Sequence, residues 1–481
     1  MPKKESFLKS ILQYSVSTWA NFFIGIVSVV LMTRLLSPDL YGLVAIFYSA
    51  SSVALYALTL GLDGAYIRFY NEPPANDSKQ QLLYKIITIS VFVCIVTGTA
   101  VTILGGDLFS SLVFGIGGKI LCGFFFVYVF CQILLRYLNI SFRMSFRVWH
   151  YNLQNIMINC LSKLLVIIAA FFTDNFVYIA ALLSIGLFTV LLLYLFLQRR
   201  EFIPYNREGK FDRKLSFIGY HEYFRFALFS APAYVVHYLN IYVNQQIILT
   251  MMSAYALGIF SSSGLFGSIL VTIRGGFSIF WSAYVFQNYE DDQQRIGKMH
   301  DFVMIFAILA VSVVILLRDV IYLFIGQEYH ESKIFFSLLL AMPVFSFVAV
   351  TTSQGIAISK KNHLDLFADV VSVVFNIIFC LLLIPAFELI GAALANAISA
   401  IALFLVSTYF GQKYYKTIFN LKKSIIGFSM LILILLVPSI TVNMIYIVIS
   451  ILCINALSIA LYRVELKYSL SLFSTKMKII N

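Results

Sequence analysis

Charge is scarce in this chain. Only 12% of its 481 residues are Asp, Glu, Lys or Arg, against about 25% in soluble domains, which excludes a large solvated globular surface. Cysteine offers neither a disulfide framework nor a zinc site. Cys94, Cys122, Cys131, Cys160, Cys380 and Cys453 are scattered through apolar segments without a CxxC pair. Catalytic motifs are lacking too. Gly115-Ile116-Gly117-Gly118-Lys119-Ile120 has neither the leading glycine nor the trailing Ser/Thr of a phosphate-binding loop. No HExxH or GxSxG occurs, so no ATP motor, zinc protease or serine hydrolase is signalled. Alternating apolar and polar residues are missing as well, which argues against strands: an open sheet edge has no place in lipid.

What remains is apolar. The chain is 61% hydrophobic with a mean hydropathy of +0.91. About fourteen stretches near 20 residues long can be marked off, each long enough to cross a hydrocarbon layer of about 30 Å. Two of the later ones cover 364–385 and 389–411. If the N-terminus is placed in the cytoplasm, every other loop is basic. Of 34 Lys and Arg, 28 then fall on the cytoplasmic side, and Arg34, Lys119, Arg318 and Lys333 on the other. Lys163 and Arg274 fall inside spans. This asymmetry predicts an even number of spans with both termini cytoplasmic. The net charge of +12 follows loop sidedness, so anionic lipid headgroups explain it and a nucleic-acid partner is not expected. The basic N-terminus is followed by no small-residue cleavage site, so the first span is expected to stay as a helix.

The expected fold is an all-α membrane protein of about 14 transmembrane helices. The expected organisation is an N-lobe of six spans over 1–200 and a basic cytoplasmic linker over 201–225. A C-lobe of six spans follows over 226–411, then spans thirteen and fourteen with a cytoplasmic tail over 412–481. The last two spans lack central charges and are assigned to guiding a lipid tail or packing the C-lobe. Internal similarity supports the two lobes. Leu36-Ser37-Pro38-Asp39-Leu40-Tyr41-Gly42-Leu43 matches Met252-Ser253-Ala254-Tyr255-Ala256-Leu257-Gly258-Ile259 at an offset of 216 residues. Tyr178-Ile179-Ala180-Ala181-Leu182 matches Ile390-Gly391-Ala392-Ala393-Leu394 more weakly. Six helices per repeat is even, so the relating axis would lie along the membrane normal.

Polar groups inside spans mark the candidate site, because a charge at a helix centre costs about 2.5–3.5 kcal/mol. Arg274 has apolar sequence on both sides and either faces a cavity or snorkels to the cytoplasmic surface. Its planar fork suits a phosphate or an acidic sugar. Arg34 closes span one where positive charge is otherwise avoided, either in a cavity or as an interface anchor. Lys163 faces the interior of span five or snorkels. Asp63 and Arg68 stand five residues apart, about 140° around a helix, and do not form a good pair. Asp63 is a candidate H+ or Na+ coupling site, an end cap, or an ion-pair partner of a neighbouring helix. Span seven carries Asn240, Tyr242, Asn244, Gln245 and Gln246, suited to sugar hydroxyls or to interhelical hydrogen bonds. The outward loops are about a dozen residues at most, too short to hold the catalytic groups of a glycan polymerase or ligase.

Several segments together resemble a known family. They are Thr33-Arg34-Leu35-Leu36-Ser37-Pro38-Asp39-Leu40-Tyr41-Gly42; Gly61-Leu62-Asp63-Gly64-Ala65 followed by Arg68-Phe69-Tyr70; and Ala256-Leu257-Gly258-Ile259-Phe260-Ser261. A later block adds Gly326-Gln327-Glu328-Tyr329, Gln354-Gly355-Ile356, Lys360-Lys361-Asn362, Asn376, Ile384-Pro385 and Gly391-Ala392-Ala393-Leu394-Ala395. In order and spacing the chain resembles bacterial polysaccharide-biosynthesis flippases, the Wzx-type O-antigen and capsule translocases. These belong to the multidrug/oligosaccharidyl-lipid/polysaccharide exporter superfamily.

The resemblance implies a twelve-helix, two-lobed core with two extra helices, in the bacterial inner membrane. It implies alternating access of a cationic cavity to an undecaprenyl-diphosphate-linked oligosaccharide. Arg274, Arg34, Arg68, Lys163, Asn244 and Gln245 would be the substrate-binding candidates and Asp63 the ion-coupling candidate. No covalent chemistry, cofactor or metal is required beyond H+ or Na+ coupling. Membrane lipids are expected partners, and polymerase and chain-length proteins of the same pathway are candidates. Where relatives often carry an acidic residue in span seven, this chain has Asn244-Gln245-Gln246. The alternatives are a drug or metabolite antiporter of the same superfamily, a peptidoglycan-precursor flippase, and a membrane polymerase or ligase. The intramembrane charges read from the sequence are mostly basic, which speaks against the antiporter.

Overall fold

A computed structural model describes residues 4–73, 78–198, 220–441 and 443–465. Of the expected linker, residues 201–219 lie outside the described residues, and 220–225 already begin a helix. The chain divides into two units, Met1–Gly258 and Ile259–Asn481.

The first unit contains α1 (Lys4–Leu35), α2 (Pro38–Thr59), α3 (Leu62–Phe69), α4 (Lys79–Phe114), α5 (Lys119–Met144), α6 (Val148–Ala169), α7 (Phe176–Leu197) and α8 (Tyr220–Met251). Local chemistry sets several of their ends. Ser37 caps α2, with Pro38 opening the helix where its missing N–H costs nothing. Ser78 and Gln81 form a reciprocal capping box at α4 (2.9 and 3.1 Å). Gly115 ends α4 at φ 69°, and Asn175 caps α7 through the Val177 amide at 2.9 Å. Helix α5 lies centrally, packed on α4, α7, α6 and α2, while α8 packs on α2 and α3. Phe47 of α2, fully buried, stands within 5.0–6.1 Å of Phe114, Phe125, Tyr128 and Phe176. This aromatic cluster ties α2 to α4, α5 and α7.

The chain continues through α9 (Ala254–Ser262), α10 (Gly264–Asn288), α11 (Gln293–Leu316) and α12 (Arg318–Tyr322). A 3₁₀ segment, Gln327–Ile334, leads into α13 (Phe336–Leu339), α14 (Ala341–Thr352) and α15 (Gln354–Ile358). The last helices are α16 (His363–Tyr414), α17 (Leu421–Ile440) and α18 (Met444–Leu461). In the second unit α14 packs against α16, α10 and α11. Helices α17 and α18 pack on α11, so of the two roles expected for the last spans the structure displays the packing one.

Eleven described helices are long and apolar enough to cross a membrane, or thirteen if each of two bent pairs is one span. The expected fourteen is not reached by that count, because α16 carries two expected spans in one helix. Its 52 residues would extend about 78 Å if straight. Instead the backbone breaks at Glu388 (φ 49°, ψ −128°), three residues after Pro385. The arms meet: Ser372 donates to the Ser399 carbonyl at 3.0 Å. No strand is assigned among the described residues.

The sequence repeat has a structural counterpart. Ser253 accepts a hydrogen bond from the Ala256 amide at 3.1 Å, as Ser37 accepts one from the Leu40 amide at 3.5 Å; the positions correspond at the offset of 216. The repeated glycines also face each other's helix. A Cβ on Gly42 would strike the Ala254 carbonyl and lie 2.8 Å from the Gly258 nitrogen. One on Gly258 would strike the Pro38 carbonyl and lie 2.9 Å from the Pro38 Cα. Pro38 is the counterpart of Ala254 at the offset of 216, so the contact is reciprocal. Gly42→Ala and Gly258→Ala are each expected to destabilise the protein by about 1–3 kcal/mol through overpacking against backbone. Gly25→Ala on α1 meets nothing within 4 Å and should be neutral or stabilising by about 0.5–1 kcal/mol. Thermal melts of the detergent-solubilised variants check this, and equal melting of all three would contradict a tight crossing.

Candidate functional site

Polar residues recur along several helices of the first unit. On α5, Tyr128, Gln132, Arg136 and Asn139 are spaced by four, four and three, which puts them on one face. On α6, Asn152, Asn155, Asn159 and Lys163 follow the same rule. These stripes place cations inside the helix bundle.

Asp63 is 1% exposed. Its Oδ2 accepts from Arg136 Nε at 2.8 Å and also from Arg136 Nη2. The sequence reading that Asp63 and Arg68 do not pair agrees with this geometry, because Arg68 is exposed and reaches Glu72 at 3.5 Å. Arg136 was missed as a site residue: it counts among the loop-side cations. The four-four-three spacing of α5 was the signal that could have found it. Arg136 also lies over the Tyr56 ring, 4.6 Å from its centroid. Tyr56 of α2 stacks on Tyr238 of α8 at 4.4 Å and 15°, and on Tyr234 at 5.7 Å and 18°.

Lys163 is half-buried on α6, its ammonium 4.8 Å from the centroid of the Tyr48 ring. No carboxylate partner is found for it among the described residues. Tyr48 in turn donates to the Ser162 carbonyl at 3.4 Å. Arg34 closes α1 with an exposed side chain. On α8, Asn244 is 2% exposed, Gln245 is half-buried, and Gln246 donates to the Leu112 carbonyl at 2.6 Å. The amide cluster therefore serves interhelical bonding at least at Gln246.

In the second unit, Arg274 is half-buried on α10. Its electrostatic partner is Asp369 on the first arm of α16, one turn beyond Asp365. Next to it, a Cβ on Gly275 or Gly276 would meet nothing within 4 Å, so the helix surface beside the guanidinium is open. Elsewhere, His300 bridges Thr351 (3.0 Å) and Ser424 (3.2 Å), and Lys423 holds Asp301 (3.0 Å) and Glu465 (2.6 Å). Asp301 and Asp369 thus join Asp63 among the acids within the helices, and the intramembrane charge is more balanced than the sequence count suggested. Of the candidates, Asp63, Lys163, Arg34, Arg68, Asn244 and Gln245 belong to the first unit and Arg274 to the second.

A family model described as polysaccharide biosynthesis protein matches residues 7–286. No curated relative matches the sequence. Among solved structures, the chain is similar to the lipid II flippase MurJ in an inward closed conformation. That likeness has a TM-score of 0.70 and 16% identity, and covers 95% of this chain and 99% of that one. An inward-facing multidrug resistance MATE transporter of the MOP superfamily gives 0.58 and 16%, covering 84% and 97%. The MATE multidrug transporter DinF-BH gives 0.58 and 14%, covering 87% and 97%. At these identities the structural likeness establishes the fold, and the family match establishes the kinship: the chain belongs to the polysaccharide biosynthesis protein family and has the multi-helix membrane fold seen in MurJ and MATE transporters.

Proposed function

We propose that this protein is a flippase for lipid-linked oligosaccharides, moving undecaprenyl-diphosphate-linked repeat units of O-antigen, capsule or exopolysaccharide across the bacterial inner membrane. The observation that supports this reading best is the family membership, joined to a fold shared over 95% of the chain with a lipid II flippase. The physical task is to carry a polar headgroup through hydrocarbon while its prenyl tail stays in lipid. Alternating access of a polar cleft performs it without covalent chemistry, so the protein is read as a transporter and not an enzyme. Lys163, held by a ring and not a carboxylate, and Arg274, beside an open helix surface, are the cations best placed to receive a diphosphate or acidic sugar. Asp63 and Asp369 are the carboxylates that could take part in H+ or Na+ coupling.

The test is translocation of a labelled undecaprenyl-diphosphate oligosaccharide in proteoliposomes containing the full chain. Transport above protein-free vesicles is expected. Failure with a range of lipid-linked headgroups, alongside uptake of a cationic dye, would overturn the reading in favour of an antiporter. Transport confined to lipid II would make it a peptidoglycan-precursor flippase.

A further inference from the structure

The stacked tyrosines beside Arg136 have no part in charge recognition by Lys163 and Arg274. Tyr56 presents one ring to Tyr238 and Tyr234, which stand one turn apart on α8, and also carries the Arg136 guanidinium. The Tyr56 hydroxyl lies 3.2 Å from that of Tyr238, which fixes the pair. At the end of this ladder Tyr234 is 42% exposed. Arg136 is held from behind. Two of its five N–H donors go to a single oxygen of Asp63, whose side chain is 2% exposed while that of Arg136 is 27% exposed. The other Asp63 oxygen is enclosed and has no hydrogen-bond partner. Among the described residues the remaining Arg136 donors have no protein acceptor. A buried carboxylate thus fixes the guanidinium plane without saturating it, and the accessible donors lie against an aromatic wall.

That combination has a chemical preference. A pyranose ring offers C–H faces that pack on aromatic surface and a polar edge that needs directional donors. A fixed guanidinium offers parallel donors to a carboxylate or phosphate on that edge. We propose that Tyr234, Tyr56 and Tyr238 with Arg136 form a binding site for a pyranose bearing an acidic group. On this view the protein recognises a sugar ring and not charge alone. The proposal deepens the flippase reading and rests on it for the identity of the natural ligand. The site itself lies wholly within the first unit.

The test uses the full chain in detergent and equilibrium binding of four lipid-free probes: glucose 1-phosphate, glucuronic acid, inorganic phosphate and methyl glucoside. Wild type is expected to bind glucose 1-phosphate about three- to tenfold more tightly than inorganic phosphate, the range of an aromatic contact. Tyr234→Leu should bring that ratio towards one while phosphate binding persists. Arg136→Gln should weaken glucose 1-phosphate and glucuronic acid by about tenfold or more, the loss of one charge-assisted hydrogen bond, with methyl glucoside little changed. If Arg136→Gln fails to fold because Asp63 is left bare, the double variant Arg136→Gln/Asp63→Asn removes both charges and carries the same expectation. A merely structural ladder would lower melting temperature and leave the ratio untouched. No ring preference in wild type, or an unchanged ratio in Tyr234→Leu, overturns the proposal. Because the probes carry no lipid, the flippase reading can fail in vesicles while this site stands, and the reverse.

Discussion

Arg274→Ala is expected to reduce translocation in proteoliposomes about thirtyfold or more, with the chain still folded, the loss typical of removing one partner of a desolvated charge pair with the substrate. An arginine with Ile269-Leu270-Val271-Thr272-Ile273 before it and Phe277 after it is expensive to hold in hydrocarbon. Asp369 offsets part of that cost, and the bare surface at Gly275 and Gly276 leaves room for a headgroup beside the fork. Arg274→Lys should give an intermediate rate, because it keeps the charge but loses the two parallel donors. Comparison of initial rates at equal protein incorporation is the measurement. Wild-type rates in Arg274→Ala would reduce Arg274 to an interface anchor.

The second large effect is on stability. Lys423→Met should destabilise the second unit by about 3–5 kcal/mol, because it leaves Asp301 and Glu465 facing each other without their cation. Lys423, Asp301 and Glu465 are 13, 20 and 15% exposed, so solvent screens them little. The ammonium also lies 4.6 Å from the Tyr462 ring centroid, and the Tyr462 hydroxyl donates to the Lys423 carbonyl at 3.3 Å. One residue therefore fastens α17 to α11 and to the end of α18. Adding Asp301→Asn to Lys423→Met should recover part of the loss, since it removes one of the two opposed charges. Thermal melts of the single and double variants decide it. If Lys423→Met melts with the wild type, the three charges contribute nothing to holding the terminal helices.

Both residues show how far the sequence could be read. Arg274 stands out because its neighbours are apolar, so one-dimensional hydropathy is enough to mark it. Lys423 looks like any basic loop residue, since Lys422 precedes it and nothing nearby is acidic. Its partners are 122 and 42 positions away, and no local pattern announces them. The spacing along α5 marks Arg136 itself, but its partner Asp63 lies 73 residues earlier, and only the packing of α3 on α5 joins them.

By itself the sequence determined the class. Lipid demands that backbone groups be satisfied within each segment, so continuous apolar runs can only be helices, and several of their ends are written locally in Ser37-Pro38, Ser78 with Gln81, and Asn175. It also showed the repeat, because equivalent turns need the same capping serine and the same small residue. The tertiary structure alone decided what those features touch. It made Gly42 and Gly258 reciprocal contacts, gave Asp63 to Arg136, backed Lys163 with a ring, and stacked Tyr56 on α8. Side-chain partnership depends on which helix faces are apposed, and that is set by the packing of many helices together, not by the order of residues in any one of them.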